Sequence, residues 1–571
     1  MILVFGGTTE GRKAVEVLEE AGKTYFYSTK IGEQELTLHH GVRVDGAMDD
    51  EAMQRFCSEH DIRLLVDASH PFASVLHETI AQVAERLQVP VIRYDRIYPP
   101  RDPDILWIDD YAQVPTDIHS LLATTGVQSI SKLKWLEAKG VKVFYRILQR
   151  DSSIALAKAQ GADINQLCFY EDGNMIDTDA DAILLKESGE SGGFCEKVAA
   201  ARHRGMRIIA LKRPPLPTAQ ARSTVNGPYG LRRAVEHILP DFFPLHSGLT
   251  TGTCATAAVI AATQHLLSGT YPTAVPVRLA NGETISVPVG FDHETAYCIK
   301  DFSDDPDVTR GCKIMAKVSF SNGGASIRFL QGEGVGRVTL PGLGIPVGEP
   351  AINPTPRQMI IDAVRELTNA DLDITISVEN GKELASRTFN QRVGVVDGIS
   401  IIGTSGIVMP LSNEAFIESI GRELKVARAI GLDAVGLASG KKGEEALLAD
   451  EPSLRVIHYG NFIGAALKKA HALGFRRVVL GIMLGKAVKL AEGHLDTHSH
   501  KVLMNKAFLK EVATEEGVAN ADSILNSITL ARELWDLMPP AFFARLQSLC
   551  LNHCRTVFPD GELDIQIIRN E

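Results

Sequence analysis

The sequence predicts an α/β protein, with a Rossmann-like doubly wound parallel sheet in its N-terminal part and a two-lobed α/β region after it. Three observations carry that expectation. Short apolar runs alternate with amphipathic stretches, a glycine-rich turn joins the first run to the first amphipathic stretch, and the alternation breaks at a proline cluster near Arg213 and resumes beyond Val393.

Element by element, Met1 to Phe5 reads as a strand, Arg12 to Ala21 as a helix and Thr24 to Ser28 as a second strand, which is a βαβ unit. Further strands are expected at Arg63 to Val66, Pro90 to Tyr94, Val141 to Tyr145, Ala182 to Lys186 and Arg207 to Leu211, with a helix from Phe72 to Leu87. The prolines of Arg213 to Pro217 remove donors and favour extended backbone, so a first domain is expected over 1–217, with a helical tail and linker over 218–244. An Ala-rich helix near Cys254 and a Val- and Gly-rich mixed sheet form a first lobe over 245–392. A second lobe is expected over 393–571, with a strand at Gly394 to Ile402, a helix at Asn413 to Ile430, and strands at Ala434 to Leu437, Leu454 to His458 and Arg477 to Leu480.

A chain of 571 residues exceeds one hydrophobic core, and its 45% hydrophobic and 23% charged residues are those of an ordinary globular protein. The net charge of -11 argues against a nucleic-acid partner, which needs clustered Lys and Arg. No run approaches a membrane span and the start lacks signal-peptide features, so a cytoplasmic protein is expected, its self-association left open. Eight cysteines are too sparse for a disulfide scaffold, and the pair at Cys550 and Cys554 has no partner at zinc-ribbon spacing.

The turn Gly6-Gly7-Thr8-Thr9-Glu10-Gly11 lies between a strand and a helix, where backbone N–H groups and the helix dipole favour a pyrophosphate. Two of the three glycines of the dinucleotide fingerprint are present and Thr8 replaces the middle one; Arg12-Lys13 stand where a nucleoside triphosphatase needs Lys followed by Ser or Thr. At the end of the second strand Ser28, Thr29 and Lys30, with Arg12 nearby, suit the 2′-phosphate of NADPH better than the bare ribose of NADH. Each element also has a plainer reading, as a tight turn or a solvated cation.

ILVFGGTTEGR at Ile2 to Arg12, VDASHPF at Val66 to Phe72, Thr124-Thr125-Gly126 and LKESG at Leu185 to Gly189 occur in the order seen in precorrin-6A reductases, and the resemblance covers nearly all of 1–214. It implies an NAD(P)H-dependent reduction of one double bond of precorrin-6A or its cobalt complex, without flavin. By the same resemblance Gly6, Gly7, Thr8 and Glu10 are carried over to the cofactor together with Thr125 and Gly126, and Asp67, Ser69, His70 and Lys186 to the cleft. His70 and Asp67 are the expected catalytic pair, because imidazole exchanges a proton near neutral pH. The competing reading has Asp67 and Ser69 capping the following helix and His70 ordering the turn. Glu187 departs from the family, which often has Ser and Gly after its Lys.

The second half opens on Leu249-Thr-Thr-Gly-Thr-Cys-Ala255, hydroxyl residues directly before a helix, which read as a capping cluster or an anion site. It is followed by Asp304 to Thr309, Gly332 to Gly336, Pro350 to Pro354, Gly403 to Ile407 and Gly485 to Ala491. This ordered set resembles cobalt-precorrin-5B C(1)-methyltransferases over roughly 246–568. The resemblance implies methyl transfer from S-adenosylmethionine to a ring carbon, in which catalysis consists mainly of holding carbon, methyl and sulfur in line. Thr250, Thr251, Thr253, Asp305, Asp307, His494 and His498 are expected at the corrinoid. Gly403, Thr404, Ser405 and Gly406, with Asn461, are expected at adenosylmethionine, on the reading that the turn follows a parallel strand. The histidines of Glu492 to His500 invite a metal, but no resident metal is expected, since a loop contacting substrate carboxylates explains them as well.

The expected whole is a bifunctional corrin-ring enzyme whose substrates are cobalt-corrinoid intermediates, the methyltransferase making cobalt-precorrin-6A and the reductase consuming it. Alternatives are a methyltransferase regulated by a non-catalytic nucleotide-sensing domain, and a non-enzymatic tetrapyrrole or metal carrier.

Overall fold

The computed structural model describes residues 1–30, 36–169, 178–217, 221–321, 327–410, 412–498 and 502–569. The chain divides into two compact units, Met1–His246 with Arg278–Ile285, and Ser247–Val277 with Ser286–Glu571.

The first unit contains strands β1 (Ile2–Phe5), β2 (Tyr25–Thr29), β3 (Gly41–Asp45), β4 (Leu64–Asp67), β5 (Val91–Tyr94), β6 (Leu106–Ile108), β7 (Ser120–Ala123), β8 (Lys142–Ile147), β9 (Leu167–Phe169), β10 (Ala182–Lys186), β11 (Arg207–Leu211) and β12 (Ala221–Val225). Its helices are α1 (Thr9–Glu19), α2 (Asp50–Glu59), α3 (Ser74–Leu87), α4 (Ile130–Glu137), α5 (Asp151–Ala159), α6 (Phe194–His203) and α7 (Pro228–Ile238). They form two parallel six-stranded sheets, ordered β12-β5-β4-β1-β2-β3 and β6-β11-β10-β7-β8-β9. Both have the doubly wound order, and each takes its last edge strand from across the chain, since β6 directly follows the first five strands and β12 returns after the second sheet. Residues 221–238, expected as tail and linker, are therefore an edge strand and a helix of the first sheet; α7 packs Leu231 and Val235 beside Val4 and Val66.

Alternation along β1 explains why this sheet is covered on both faces. Ile2 and Val4 pack with Ala14 and Leu18 of α1, whereas Leu3 and Phe5 pack with Met53 of α2 and Ile80 and Val83 of α3. The connections after β1 and β4 thus leave on opposite faces. The same parting occurs after β7 and β10, with Ile130 and Leu133 of α4 in one core and Phe194 and Val198 of α6 in the other.

The second unit begins with β13 (Gly248–Leu249) and the buried helix α8 (Thr251–Ser268), then β14 (Ala274–Arg278), β15 (Thr284–Pro288), β16 (Gly290–Asp292), β17 (Thr295–Ile299), β18 (Lys313–Phe320), β19 (Ile327–Gln331), β20 (Arg337–Val338), α9 (Pro354–Leu367), β21 (Leu372–Val378), α10 (Gly381–Ala385), β22 (Val395–Val396) and β23 (Ile407–Val408). A five-stranded sheet, β16-β17-β18-β21-β19, carries α8 on one face. After α11 (Asn413–Ala429) come β24 (Ala434–Ala438), α12 (Lys441–Asp450), β25 (Val456–His458), α13 (Ile463–Ala472), β26 (Arg477–Met483), α14 (Leu484–Ala491), α15 (Lys506–Glu515), α16 (Ala521–Ser527), α17 (Leu534–Leu537), α18 (Pro540–Arg555) and β27 (Glu562–Ile568). These build a parallel sheet ordered β25-β24-β26-β27.

The lobe boundary expected at 393 is displaced. β22 pairs with β20 and β23 with β13, so residues up to Val408 belong to the first lobe and the second starts with α11. Gly394 to Ile402, expected as a strand, makes only the two residues of β22 and isolated bridges at Ile399 and Ile401. Among the described residues no helix is long and apolar enough to cross a membrane.

Candidate active sites

In the first unit the motifs sit where the topology predicts a ligand. The glycine turn follows β1 and the Asp67–His70 loop follows β4; Thr124–Gly126 follows β7 and Lys186–Gly189 follows β10. Ligands of open α/β sheets bind outside the carboxyl ends of strands whose connections part to opposite faces, and both such points of this unit carry a motif pair.

The first turn is built by close packing. A Cβ on Gly6 would stand 2.2 Å from the Tyr27 hydroxyl and one on Gly11 2.8 Å from Gly6 Cα, while Gly7 has a φ of +86°. Gly7 N donates to Tyr27 Oη at 3.0 Å. Thr8, in place of the usual second glycine, caps α1: its Oγ1 accepts from Gly11 N at 3.0 Å and donates to Ala68 O at 2.6 Å. Thr8 is thus a clamp between the two loops, and the first turn of α1 keeps outward N–H groups for an anion.

Glu10, expected on the cofactor, is buried and bonded to Arg96 Nε at 2.9 Å and to the Ser191 hydroxyl. Burial alone would raise its pKa, but these partners pull it below the ordinary carboxylate range. Arg96 also donates to Ser188 O at 2.7 Å, tying the loop after β5 to the loop after β10. Neither Arg96 nor Ser191 was singled out in the sequence; the signal was an arginine directly beyond a strand end. Glu187, which departs from the family pattern, takes a two-point bond from Arg101 at 3.0 and 2.9 Å.

Asp67 and Ser69 are buried and do not cap α3, whose N-cap residue Ala73 makes no side-chain bond. Asp67 Oδ1 accepts from Ser69 N, Ser69 Oγ and Arg93 Nη1 at 3.1, 2.6 and 2.9 Å, and Oδ2 meets His77 Nδ1 at 2.6 Å. Burial opposes ionisation there, yet His77, Arg93 and Ser69 bring the Asp67 carboxyl down to about 2. Asp67 is a buried anchor of the loop rather than an acid at the reacting atoms. Ser69, at 4% exposure, is spent on it.

His70 Nδ1 accepts from Phe72 N at 3.2 Å, which leaves Nε2 as the N–H of a neutral ring. Burial first, then Arg96 and Lys186, push its imidazolium down to about 4. The expectation of a proton exchanged near neutral pH is corrected accordingly: the resting ring is neutral and serves as a hydrogen-bond donor. The Lys186 ammonium lies 5.0 Å from the Phe72 ring centre, lowered by burial and by Lys132. Thr125 is buried, its hydroxyl 2.6 Å from Ser129 Oγ, while Gly126, with φ +85°, is exposed and a Cβ there would meet no atom within 4 Å. Ser28 and Thr29 are buried too, Thr29 Oγ1 donating to Asp45 at 3.0 Å, whereas Lys30 and Arg12 are exposed beside the turn. A dinucleotide fits this setting through Gly6, Gly7, Gly126 and the exposed cations rather than through the hydroxyls of Ser28, Thr29 and Thr125.

In the second unit two distant motifs interlock. Thr250 caps α8 by accepting from Thr253 N at 3.1 Å, Thr251 Oγ1 accepts from Ile402 N at 2.8 Å, and Thr253 Oγ1 donates to Gly406 O at 2.6 Å. A Cβ on Gly403, at φ +145°, would stand 2.3 Å from Thr250 Oγ1. Thr250, Thr251 and Thr253 are 7%, 4% and 0% exposed; the hydroxyls of Thr251 and Thr253 hold the chain at Ile402 and Gly406 and that of Thr250 caps α8, so all three are engaged within the protein. The turn itself precedes β23, which pairs antiparallel with β13, so the argument that placed adenosylmethionine there on parallel strand ends fails. Thr404 bonds Glu418 at 3.3 Å and Ser405 Oγ donates to Ile407 O at 2.8 Å. Asp307 pairs with the buried Lys300 at 2.7 Å and accepts from Thr309, while Asp305 O accepts from Asp307 N at 2.7 Å; the Asp304–Thr309 segment is thereby a folded turn.

The remaining motifs gather in the second lobe. Asn461, beyond β25, accepts through its carbonyl from Thr497 N at 3.0 Å, Lys489 donates to Thr497 O at 3.2 Å, and Lys486 donates to Gly460 O. His494 is partly exposed, 3.8 Å from Glu492, and His498 N donates to Asp496 at 3.3 Å; His500 lies outside the described residues. Among the described residues no three His, Cys, Asp or Glu side chains are grouped to hold a metal ion.

These two sites have counterparts in known families. Residues 241–410 match the CbiD family model, and residues 1–228 match the model described as Precorrin-6x reductase CbiJ/CobK. A cobalt-precorrin-5B C(1)-methyltransferase of Prosthecochloris aestuarii is 42% identical over 346 residues, spanning 57% of this chain and 94% of that protein. The chain belongs to the cobalt-precorrin-5B C(1)-methyltransferase family. Another member, from Agrobacterium fabrum, is 44% identical over 282 residues, 48% of this chain and 75% of that one. Among solved structures, the cobalamin biosynthesis protein CbiD of Archaeoglobus fulgidus is 28% identical with a TM-score of 0.26, covering 48% of this chain and 85% of that chain. A CobK precorrin-6A reductase is 17% identical with a TM-score of 0.34, covering 42% and 96%. The family's methyltransferase members account for the second unit, and the reductase match accounts for the first.

Proposed function

We propose that this chain is a bifunctional enzyme of cobalamin biosynthesis, methylating C1 of cobalt-precorrin-5B with S-adenosylmethionine and reducing the resulting cobalt-precorrin-6A with NAD(P)H. The observation that carries this reading is that the two family matches are adjacent and do not overlap, 1–228 and 241–410, the first ending and the second beginning near the division between the two units at His246.

In the first unit the bound NAD(P)H would supply hydride from its nicotinamide. The chain's residues position and polarise: Glu10, Arg96 and Ser188 hold the loops after β1, β5 and β10 together. His70 offers an Nε2–H, and Lys186 offers a partly buried cation to the carboxylates of an acidic macrocycle. The exposed Lys30 and Arg12 favour a 2′-phosphate and so NADPH. In the second unit a sulfonium methyl is already electrophilic, so the protein's work is alignment, and no covalent enzyme intermediate is needed. A tether that lets both sites act also raises the local concentration of the intermediate toward about millimolar.

Steady-state NADPH and NADH oxidation with cobalt-precorrin-6A tests the reductase half. Oxidation that requires the corrinoid is expected. Folded protein that binds the dinucleotide but never oxidises it would leave a nucleotide-sensing domain instead.

A further inference from the structure

The second lobe has its own topological switch point, between β24 and β26 of its parallel sheet. Beyond β24 the chain enters α12, and beyond the neighbouring β26 it enters α14. These helices cover opposite faces of the sheet: Leu447 of α12 packs with Ala438, Val456 and Val479, whereas Ala487, Val488 and Leu490 of α14 pack with Val435, Leu437 and Leu480. Adjacent parallel strands whose connections part in this way leave an opening outside their carboxyl ends, where α/β proteins bind ligands.

The rim of this opening is bare and its charge is unbalanced. A Cβ on Gly440 or Gly485 would meet no atom within 4 Å, and Gly460, at φ +59°, turns the chain beyond β25. Lys486 reaches across to Gly460 O, 5.8 Å from the Tyr459 ring centre, and Lys489, three residues on along α14, reaches Thr497 O. Among the described residues neither ammonium has a carboxylate partner. Burial and then Lys489 bring Lys486 down to about 8, and burial lowers Lys489 as well. A cation withdrawn from water without an anion costs free energy that an anionic ligand returns.

We infer that this crevice is the adenosylmethionine site and that Lys486 holds the α-carboxylate of the methionine arm; the inference rests on the methyltransferase reading above. A corrinoid side chain carries the same carboxylate chemistry, but Lys486 is tied back to Gly460 at the strand ends, a place suited to a compact ligand rather than to a macrocycle. Gly440 and Gly485 leave the backbone open to the rest of the cofactor.

Isothermal titration of the full chain separates these sources. The probes are S-adenosylhomocysteine, 5′-methylthioadenosine, which keeps the nucleoside but lacks the amino-acid arm, and cobyrinic acid as a polycarboxylate corrinoid. Lys486→Met is expected to weaken S-adenosylhomocysteine by about ten- to a hundredfold, as loss of a charge-assisted bond does, and to leave 5′-methylthioadenosine unchanged. Lys486→Arg should retain most of the affinity, and an unchanged far-ultraviolet circular dichroism spectrum and unfolding transition report intact folding. Unchanged S-adenosylhomocysteine binding, an equal fall for both nucleosides, or a fall confined to cobyrinic acid would overturn the assignment. Absence of S-adenosylhomocysteine binding by the unsubstituted protein would instead remove the methyltransferase reading itself.

Discussion

Asp67 shows how far a single residue's role is set by its neighbours. In sequence it sits beside His70 in a motif and reads as half of a catalytic pair; in the fold it is enclosed by His77, Arg93 and Ser69. Asp67→Asn leaves the buried Arg93 with only the longer pair to Asp95 at 3.4 Å and is expected to destabilise the first unit by about 3 kcal/mol, measured by denaturant unfolding. Because the folded carboxyl lies near 2, below its ordinary value, its stabilisation is present above about pH 4 and is lost as pH falls toward 2. That contribution, about 2 kcal/mol, should vanish from the acid limb of the Asp67→Asn protein. His70 makes the opposite point: with its imidazolium near 4, the kcat/KM profile of NADPH oxidation should show no inflection from this ring between pH 6 and 8, and His70→Asn, which keeps an acceptor for Phe72 N, should preserve the profile's shape. A histidine inflection near 6.5 that disappears in His70→Asn would contradict the neutral assignment. Partners contributed from elsewhere in the fold, Arg93 and His77 at Asp67 and Arg96 and Ser191 at Glu10, are not legible in the local motif.

At the scale of elements, the strands with strong apolar runs were legible: β1, β2, β10 and β11 fall where periodicity put them, as do α8 and α11. The exchange of β6 and β12 between the sheets was not, because which strand pairs with which is decided by edges formed far away in the chain. Gly394–Ile402 looks like a strand and forms mostly isolated bridges because Gly394, Gly398 and Gly403 are each pressed against other backbone or side chains. The interlocked motifs of the second unit give a test at this scale. Thr253→Val removes one of two donors to Gly406 O, Thr250 N at 3.1 Å remaining, and is expected to cost about 1 kcal/mol and to impair methyl transfer, while NADPH binding in the first unit is unchanged. Loss of both would mean that the motif supports more than its own lobe.

For the whole molecule, the ordered motifs resemble two families, and the fold supplies what they lack: the two points where strand connections part in the first unit and the third in the second lobe. Gly6→Ala, whose Cβ would meet Tyr27 at 2.2 Å, should abolish dinucleotide binding and leave S-adenosylhomocysteine binding intact, and calorimetry with both ligands checks this. In the proposed function one chain performs two consecutive reactions. Incubation of the intact protein with cobalt-precorrin-5B, S-adenosylmethionine and NADPH, followed by mass analysis over time, tests it most directly. The predicted result is a product that gains one methyl group and then two hydrogens; a methylated product that is never reduced, or a corrinoid that is never methylated, would contradict it.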